Sequence, residues 1–504
     1  MPHARVTNKS VRANGLAANL RINMKGNREK DERKLPSECT TIIVGEKQSA
    51  DGARYLCRSS DFDALMAVNV EVHHDTDNGP EEFVAKDSKF RCPLPRKALG
   101  YTALPDYTFP GEWGSAGYNT AGVGMSSTET IFSSEKALEA DPYVEDGLAE
   151  NCTYNIVLPY IRTAREGVKR LGALIELYGS AEGFGIGFID GKETWYLENA
   201  RGHRWLACRM PEDKYFVTGN QSRFREYNPD DKANFLASVD LIEFAEKHGL
   251  YNPADGAFDF HEAYSRDEKL DTTYNYPRVW GLQQMFSPAI KNDVTKNTFP
   301  VFAEAEKKIG LGDLRRAFRF HYDNTDHDPY LHSNGKELYR PVSIFRTTQT
   351  HIMQVREDLP VAIGEVTYVA FGMADLSVFV PFYQGATEAD ERYTYRASGV
   401  SDDFSAYWTF RKVATLGMTD YNFLAPIIKK AYLELETEFD EAQKDIEAEY
   451  LATYKDAPDN AREALTAANI KLQQRAYEFS KDLLNKLFTH LTGKVQEEYL
   501  FHGA

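Results

Sequence analysis

Residues 37–63, SECTTIIVGEKQSADGARYLCRSSDFD, contain a cysteine and an arginine whose spacing could build a nucleophile. Two β-branched runs flank the polar segment EKQSADG, whose final Asp-Gly marks a turn, so the pattern predicts a β-hairpin. Cys39 opens the first predicted strand and Arg58 lies in the second. A guanidinium beside a thiol lowers the thiol pKa from about 8.5 and favours the nucleophilic thiolate.

The register of this hairpin decides whether the two side chains meet. If Gly45 pairs with Ala53, Cys39 faces Ser59 and Arg58 lies one position away. An isolated cysteine is otherwise most often a small buried hydrophobe. The residues of the hairpin therefore fit either a nucleophilic Cys39 beside Arg58 or a buried Cys39 without a chemical role.

Cleavage of the chain before Cys39 would supply a base for the thiol. The new α-amino group would titrate near pH 7.7 to 8.0, which is about the working pH of an enzyme. This amine could take the proton of the thiol in the same residue. Nucleophile and base would then come from Cys39 alone, and no catalytic histidine is needed.

Residues 1–38 have the composition of a segment that can be removed. They contain nine Lys and Arg against four Asp and Glu, a formal charge of +5, whereas residues 39–504 carry −22. The leader lacks the apolar run of a secretory signal. The composition therefore fits a solvated leader that could be removed, and the residues alone leave its cleavage open. A start at Met24 would shorten this leader.

The whole chain has the composition of an acidic, folded protein. Its 504 residues are 42% hydrophobic and carry a formal charge of −17, which disfavours a nucleic-acid partner because phosphate binding needs clustered Lys and Arg. Five cysteines without a CxxC pair indicate a reducing compartment, and we predict a cytoplasmic protein. Residues 361–382 are apolar but include Glu365, Asp375 and Pro381, so they predict buried strands and not a membrane span.

Strands beside helices without regular βαβ alternation indicate an α+β fold with antiparallel sheets. A helix is predicted over about residues 155–178. A meander of four short strands follows, in GFGIGFID, ETWYLENA, RWLACRM and YFVTGN.

Two long helices are predicted near the end of the chain, at about 421–454 and 461–492. Asn460 and Glu463 fit a capping box at the start of the second helix. The short connection predicts antiparallel packing. We therefore expect a catalytic domain at 39–420 and a C-terminal helical hairpin at 421–504.

Motifs spread over the chain after residue 38 resemble a known superfamily. CTTIIVG followed by RSSDFD is similar to the start of N-terminal-nucleophile (Ntn) hydrolases, which include penicillin V acylases and bile-salt hydrolases. Further segments resemble the cysteine dipeptidase A family of this superfamily, namely GYNTAGVGMSSTET, WYLENARGHRWLACRMPED, FVTGNQSRF, YNYPRVW and YRPVSIFRTTQTHIMQVRE. The resemblance implies a four-layer αββα sandwich of two antiparallel sheets. It also implies a propeptide at 1–38 that autoproteolysis removes by cleavage between Glu38 and Cys39. The exposed cysteine would then hydrolyse dipeptides, with no metal or other cofactor.

The resemblance implies roles for five residues. Cys39 matches the nucleophile, Arg58 the guanidinium beside it, and Asp61 the acid that in the acylases contacts the amine of the nucleophile. Asn220 resembles the asparagine of the oxyanion pocket, whose donors stabilise charge on the carbonyl oxygen. Arg278 matches a second active-site arginine. The alternatives are a surface ion pair for Arg58 and Asp61 and a turn residue for Asn220.

Glu129 departs from the acylase pattern. The acylases have a second oxyanion asparagine in this register, and an ionised glutamate cannot donate a hydrogen bond. A backbone amide is the alternative for the second donor. We expect Glu129 to bind the free α-ammonium group of a dipeptide, which an acylase substrate lacks.

Two histidine-containing segments suggest a competing metal-dependent mechanism. HYDNTDHDPYLH contains His321, Asp323, His327 and His332, and VHHDTD at 72–77 contains two more histidines. The sequence has no HExxH motif, and mixed Asp, Asn, Thr and Pro content is typical of loops. The sequence therefore favours a metal-independent reaction.

The sequence thus predicts a cysteine dipeptidase that acts on small peptides through a thioester on Cys39. Two alternatives stay open, an amidase for N-acyl amino acids and a non-catalytic protein similar to the secernins, which are thought to be associated with secretion. Neither a nucleic-acid nor a membrane partner is predicted, and assembly into a homo-oligomer is left open.

Overall fold

The computed structural model describes residues 38–108, 111–199, 201–331 and 339–500. The predictions for residues 1–37, which include most of the propeptide and the start at Met24, lie outside the described residues, as does His332. Glu38 is described, and it is the first residue of the first strand.

The described strands follow one another along the chain as β1 (Glu38–Val44), β2 (Arg54–Asp61), β3 (Glu71–His73), β4 (Glu82–Val84), β5 (Arg91–Pro93), β6 (Tyr101–Ala103), β7 (Ala116–Tyr118), β8 (Gly124–Thr130), β9 (Phe184–Ile189), β10 (Thr194–Asn199), β11 (Trp205–Arg209), β12 (Tyr215–Thr218), β13 (Phe235–Ala237), β14 (Phe302–Ala303), β15 (Thr347–Val355), β16 (Glu365–Phe371) and β17 (Val380–Tyr383).

The described helices are α1 (Glu135–Ala140), α2 (Glu150–Val157), α3 (Ala164–Tyr178), α4 (Leu241–Lys247), α5 (Phe260–Tyr264), α6 (Asp271–Tyr274), α7 (Tyr276–Phe286), α8 (Leu311–Phe318), α9 (Val361–Gly364), α10 (Glu391–Thr394), α11 (Ala406–Thr419), α12 (Tyr421–Thr453) and α13 (Pro458–Glu498). Short 3₁₀ turns lie at Leu158–Tyr160, Pro253–Asp255 and Ala374–Leu376.

Most of these strands form two antiparallel sheets. Within the described residues, sheet A has the strand order β14-β12-β1-β2-β15-β16-β17 and sheet B has the order β13-β11-β10-β9-β8-β7. The α+β class with antiparallel sheets is therefore confirmed. The predicted four-strand meander is wrong in its last member, because β9, β10 and β11 are neighbours in sheet B whereas β12 pairs with β1 in sheet A. All four residues of β12 are buried, which fits its place inside sheet A, between β14 and β1.

The two sheets approach each other closely near the middle of each. A Cβ atom on Gly187 of β9 would lie 2.5 Å from the side chain of Leu56 in β2. A Cβ atom on Gly124 of β8 would lie 2.6 Å from Met353 of β15. Glycine permits this approach because it has no side chain to displace the facing residue. Residues of β1, β2, β8 and β15 are consequently brought to one shared interior.

Helices cover the other face of each sheet. Gly167 and Gly172 let α3 lie directly against Phe188 and Trp205 of sheet B. On sheet A, one apolar cluster joins α7 and α8 to the strands, and it includes Ile42, Cys57, Val279, Leu282, Leu314 and Ile352. The central hairpin of β1 and β2 is thus packed on both faces.

The predicted helix at 155–178 is two helices. Helix α2 ends at Val157, a 3₁₀ turn containing Pro159 follows, and α3 begins at Ala164. The Thr163 side chain accepts a hydrogen bond from the backbone N–H of Glu166 and caps α3. Proline disfavours a continuous helix because it lacks the N–H donor, and the new cap starts the next one.

The two long C-terminal helices pack antiparallel, as predicted. Lys494 pairs with Asp420, and the Tyr432 hydroxyl donates to Ser480 at 3.2 Å, so the start of α12 lies beside the end of α13. The predicted capping box is wrong, because α13 begins at Pro458 without a side-chain cap. Proline fits the first helical position, where its missing N–H would be unpaired in any case.

The apolar segment 361–382 forms α9, β16 and β17, and both strands are almost entirely buried. The prediction of buried strands is confirmed. Among the described residues, no helix combines the length and the apolar character that crossing a membrane requires.

Candidate active site

The register of β1 and β2 brings the predicted nucleophile and its arginine together. Cys39 lies opposite Ser60, and Thr41 lies opposite Arg58. The predicted partner Ser59 is wrong by one residue. Since alternate residues of a strand share a face, Ser60 and Arg58 lie on the face of Cys39, whereas the predicted register would have turned Arg58 to the opposite face.

The connection between the strands explains the shift. The backbone N–H of Gly45 donates to the carbonyl of Lys214 at 3.0 Å, so Gly45 continues the pairing with β12 and does not pair with Ala53. Pairing within the hairpin begins only at Val44 and Tyr55. The Asp-Gly turn at residues 51–52 therefore does not set the register.

Arg58 joins the thiol of Cys39 to the middle of β8. Its Nη1 donates to Cys39 Sγ at 3.0 Å and to the carbonyl oxygen of Thr128 at 2.8 Å. Its Nη2 donates to the carbonyl oxygen of Ser127 at 2.6 Å, and its Nε donates to Ser126 Oγ at 3.3 Å. One buried guanidinium thus fixes the thiol against three consecutive residues of the neighbouring sheet.

The thiol of Cys39 is protonated at neutral pH in this uncleaved chain. The side chain is fully buried, and Sγ donates to the carbonyl oxygen of Thr128 at 3.1 Å. Burial raises the pKa of the Cys39 thiol to about 12, because desolvation outweighs the lowering by Arg58 and the carboxylates of Glu129, Asp61 and Glu150 raise it further. Arg58 lowers the pKa of the thiol as expected, but burial raises it by more, so formation of a thiolate would need a base.

The backbone of Cys39 is held from the other side by Asn220 and Arg278. The N–H of Cys39 donates to Asn220 Oδ1 at 3.3 Å, and Arg278 Nη1 donates to the carbonyl oxygen of Cys39. Arg278 Nη2 also donates to Asn220 Oδ1 at 2.9 Å and to Asn275 Oδ1 at 2.5 Å. The structure therefore brings both predicted residues into contact with the main chain of Cys39.

The amide group of Asn220 already has partners in this chain. Asn220 Nδ2 donates to the carbonyl oxygen of Thr130 at 3.3 Å, which is a long hydrogen bond. Asn220 is buried in a bend that follows β12, so the alternative of a turn residue stays open. Its role as an oxyanion donor stays a prediction.

Asp61 lies next to the predicted cleavage point but on the opposite face from the thiol. It pairs with Glu38 across the hairpin. Its carboxylate accepts hydrogen bonds from Thr347 Oγ1 and Arg340 Nη2, both at 2.5 Å. Both Asp61 and Arg58 are buried, so they do not form a surface ion pair. The predicted contact of Asp61 with a free amine stays a prediction, because the nitrogen of Cys39 is still an amide.

Glu129 is a buried carboxylate beside Cys39, the predicted nucleophile. Its Oε2 accepts a hydrogen bond from Thr41 Oγ1 at 2.7 Å, whereas its Oε1 is buried and has no hydrogen-bond partner among the described residues. Burial raises the pKa of Glu129 to about 7, although Arg278 and Arg58 act in the opposite direction. The group therefore changes charge near neutral pH.

A model of peptidase family C69 matches residues 38–434 of the chain. The chain belongs to peptidase family C69. The resemblance to the cysteine dipeptidase A family is thereby confirmed. The match to the family begins at the residue before Cys39.

Three relatives span most of the chain. A probable dipeptidase of Salmonella dublin is 50% identical over 350 residues, which cover 69% of this chain and 81% of the relative. Probable dipeptidase B of Lactococcus lactis is 33% identical, covering 91% of this chain and 96% of the relative. Dipeptidase A of Lactobacillus helveticus is 30% identical, covering 92% and 98%.

The site of this C69 chain includes residues that the sequence did not single out. Asn275 lies three residues before Arg278 in YNYPRVW, a spacing that places both side chains on one side of a helical turn. Arg340 and Arg346 both lie in the family-like segment at 339–357. Glu150 accepts from Thr130 Oγ1 at 2.9 Å, and burial together with Glu182 raises its pKa to about 8. No local pattern marks Glu150, because α2 brings it to the site.

The histidine segments form ion pairs. His321 Nδ1 lies 3.0 Å from Asp328 Oδ1, and His321 Nε2 lies 3.1 Å from Asp323 Oδ1. His73 pairs with Glu71 at 3.0 Å and stacks on Tyr101. In the part of the chain that the structure describes, no group of three or more His, Cys, Asp or Glu side chains is arranged to hold a metal ion.

Proposed function

We propose that the chain cleaves itself before Cys39 and then hydrolyses dipeptides through a thioester on that residue. One observation carries the proposal. The thiol of Cys39 is held by Arg58, while Asn220 and Arg278 hold the backbone nitrogen and carbonyl of the same residue. Cleavage would convert that nitrogen into an amine within the residue that carries the thiol. The dipeptidase names of the C69 relatives support the same reaction class.

Self-cleavage begins with attack of Cys39 Sγ on the carbonyl carbon of Glu38. The Sγ–C bond forms, the bond from that carbon to the nitrogen of Cys39 breaks, and the nitrogen takes a proton. Water then hydrolyses the thioester and releases residues 1–38 with a terminal carboxylate. The product is a chain whose first residue has a free amine and a free thiol.

Dipeptide hydrolysis uses the new amine as the base. It takes the proton of the thiol while Sγ attacks the peptide carbonyl, and it then passes the proton to the departing amino group. The same amine activates water to hydrolyse the thioester. Arg58, which lies 3.0 Å from Sγ, stabilises the negative sulfur as it forms. Nearby guanidinium groups also favour the neutral form of an amine, which is the form that acts as a base.

Asn220 is proposed to move its Nδ2 from Thr130 to the oxygen of the substrate carbonyl. The bond to Thr130 is 3.3 Å long, so little is lost when it is exchanged for a bond to a developing negative charge. Arg278 keeps Asn220 in place through its bond to Oδ1. Asp61 is proposed to contact the free amine of Cys39 after cleavage.

The proposal includes the finer features that the family resemblance implies. These are a four-layer αββα sandwich with sheets A and B as its inner layers, a propeptide at 1–38, a catalytic domain at 39–420 and a helical hairpin at 421–504. A cytoplasmic location and a metal-independent reaction belong to the same proposal.

A comparison of substrates tests the proposed reaction. Processed protein should hydrolyse free dipeptides such as Ala-Ala with a kcat/KM about 100-fold higher than N-acetylalanine, because the latter lacks the ammonium group that a buried carboxylate can bind. Incubation with a chelator should leave this activity unchanged. Faster hydrolysis of N-acyl amino acids would support the amidase, and processed protein without either activity would support the non-catalytic alternative.

Glu129 is proposed to bind the α-ammonium group of the dipeptide through its unpartnered oxygen. At pH 8, Glu129→Gln should raise the KM for Ala-Ala about tenfold, the value expected for loss of one hydrogen bond to a charged group. Because the pKa of Glu129 is about 7, its carboxylate loses its charge as the pH falls. The KM of the unchanged enzyme should therefore rise as the pH falls through 7, and that of Glu129→Gln should not.

Glu365→Gln provides a matched control for this variant. Glu365 is another buried carboxylate with a raised pKa and an oxygen that has no hydrogen-bond partner among the described residues. It pairs with Val355 at the opposite end of sheet A from Cys39. Its replacement should leave the KM and its pH dependence unchanged. An unchanged KM for Glu129→Gln would refute the proposed role. A KM of the unchanged enzyme that falls as the pH is lowered would refute it too.

A further inference from the structure

Three arginines surround Tyr274 beside the point of cleavage. The guanidinium carbons of Arg278 and Arg340 lie 5.6 Å and 5.4 Å from the centre of the Tyr274 ring. Arg346 Nη2 donates to the Tyr274 hydroxyl at 3.0 Å. The face of a tyrosine ring attracts cations, and its hydroxyl oxygen accepts hydrogen bonds from them. The arrangement therefore concentrates positive charge in a small volume.

Two carboxylates face this group of arginines in the uncleaved chain. Asp61 Oδ2 accepts from Arg340 Nη2 at 2.5 Å. The carboxylate of Glu38 contacts Arg346 directly and lies 3.8 Å from Arg340 Nε. A third carboxylate, that of Glu129, attracts the guanidinium of Arg278 electrostatically. Glu38 is therefore one of the counter-charges that balance the cluster.

These groups lie inside the protein. The side chains of Glu38, Arg340 and Arg346 are 6%, 4% and 16% exposed. Buried ions are tolerated when they are paired, and removal of one partner leaves an uncompensated charge. The order of the chain makes Glu38 the last residue of the segment that cleavage would release.

Cleavage would therefore make the cluster more positive. The carboxylate of Glu38 would leave, while Arg278, Arg340 and Arg346 would stay on α7 and on the segment that leads into β15. The amine of Cys39 would appear next to them and could add a further positive charge. A vacated, buried site of this kind favours a small anion that can accept hydrogen bonds from two arginines.

We propose that Arg340 and Arg346 bind the C-terminal carboxylate of the dipeptide, and that Glu38 occupies this carboxylate site until the chain is cleaved. The inference rests on the proposed function and names the determinant of its substrate class. In a dipeptide, the carboxylate belongs to the residue directly after the attacked carbonyl. Glu38 adjoins Cys39 in the chain, so the place of its carboxylate is within reach of a substrate bound at the nucleophile, one residue being a step of about 3.8 Å between Cα atoms.

The same geometry selects the length of the substrate. A third residue would carry the terminal carboxylate about one residue farther from the nucleophile, beyond the place that the carboxylate of Glu38 takes beside Arg340 and Arg346. The mature enzyme should consequently prefer dipeptides to tripeptides of the same composition. It should also reject a dipeptide whose carboxylate is blocked as an amide, because a neutral amide cannot neutralise a guanidinium.

The test compares Ala-Ala, Ala-Ala-Ala and Ala-Ala amide as substrates of mature wild-type protein and Arg346→Gln. Wild type should cleave Ala-Ala with a kcat/KM about 100-fold above that of either other peptide. Arg346→Gln should lower kcat/KM for Ala-Ala about 30-fold, mainly through KM, and leave the rate on the amide within about twofold. Arg346→Lys should recover part of the loss, since it keeps the charge but not the planar fork.

Controls separate this role from folding and processing. Each variant is used only after its N-terminal residue is found to be Cys39 and its melting temperature is compared with wild type. Arg316→Gln serves as the matched control, because the Arg316 side chain is 64% exposed and pairs only locally with Asp313 in the same helix. A loss on Ala-Ala and on the amide to the same extent would assign Arg346 a structural role and overturn the inference.

Two further outcomes are decisive. If wild type cleaves Ala-Ala and its amide equally well, the carboxylate site is refuted while the proposed function stands. If Glu-Ala amide is cleaved about as well as Ala-Ala, the arginines bind an acidic side chain and the assignment to the terminal carboxylate is overturned.

Binding measurements decide the inference even where turnover is absent. In titration calorimetry, mature protein should bind alanine more than tenfold more tightly than alanine amide, and Arg346→Gln should not distinguish them. Equal binding of the two by wild type would overturn the inference.

Discussion

Cys39→Ala should yield a purified chain that retains residues 1–38 and hydrolyses dipeptides at least about 10⁴-fold more slowly than the processed protein. The same sulfur is proposed to attack Glu38 in the first reaction and the substrate in every later one. Cys39→Ser should process slowly and show a similar loss of activity, because the fully buried site gives a hydroxyl no base strong enough to ionise it. Intact mass and initial rates on Ala-Ala measure both effects.

Cys57→Ala is the matched control for this experiment. Cys57 lies in the same hairpin and is equally buried, but its side chain packs in the apolar cluster under sheet A. Alanine in its place should cost some stability and leave processing and kcat within a few-fold of wild type. Dipeptide hydrolysis by a Cys39→Ala protein at more than about 1% of the normal rate would remove Cys39 from the mechanism.

Arg58→Gln should lower kcat/KM for dipeptides about 10²- to 10³-fold, the range seen when one preorganised donor to a developing negative charge is removed. Arg58 donates to Cys39 Sγ and lowers its pKa, although burial dominates the net shift. Without this cation the thiolate forms only at higher pH. The rising limb of the profile of kcat/KM against pH should therefore move to higher pH in the variant.

The pH profile distinguishes this role from a structural one. Arg58 also donates to the carbonyl oxygens of Ser127 and Thr128, so its loss will loosen the contact between β2 and β8. Arg58→Lys, which keeps the charge but cannot make all these bonds, should restore the position of the rising limb and only part of the rate. A profile that keeps its shape while the rate falls would mean that Arg58 only holds the strands.

The hairpin shows what a local pattern can and cannot establish. Alternating β-branched residues and a polar connection were enough to predict β1 and β2. The register was not, because the N–H of Gly45 binds Lys214, which lies 169 residues later in the chain. Arg58 consequently reaches Cys39 in a register that the turn residues did not indicate.

The charge state of the thiol depends on burial that no sequence pattern reports. A neighbouring arginine predicts a lowered pKa, but Cys39 is enclosed by two sheets and three carboxylates act on it, so the pKa rises to about 12. The same enclosure raises the pKa of Glu129 to about 7. Both shifts follow from tertiary packing and could be stated only once the fold was described.

Long-range assembly also explains the residues that were not predicted. Arg340 and Arg346 meet Glu38 and Asp61 only because β15 lies beside β2 in sheet A. Motifs quoted for the family resemblance contained both arginines, but sequence gave no reason to connect them with the residue before the nucleophile. The family itself could be predicted from the sequence, since its motifs extend along most of the chain and the match to peptidase family C69 confirms it.

The most direct test of the account is the intact mass of the purified protein together with its N-terminal residue, measured on the sample used for dipeptide assays. We expect active protein to begin at Cys39, with a free amine on that residue. Full dipeptidase activity in a chain that still carries residues 1–38 would contradict the account, because the nitrogen of Cys39 would then be an amide and could not act as the base.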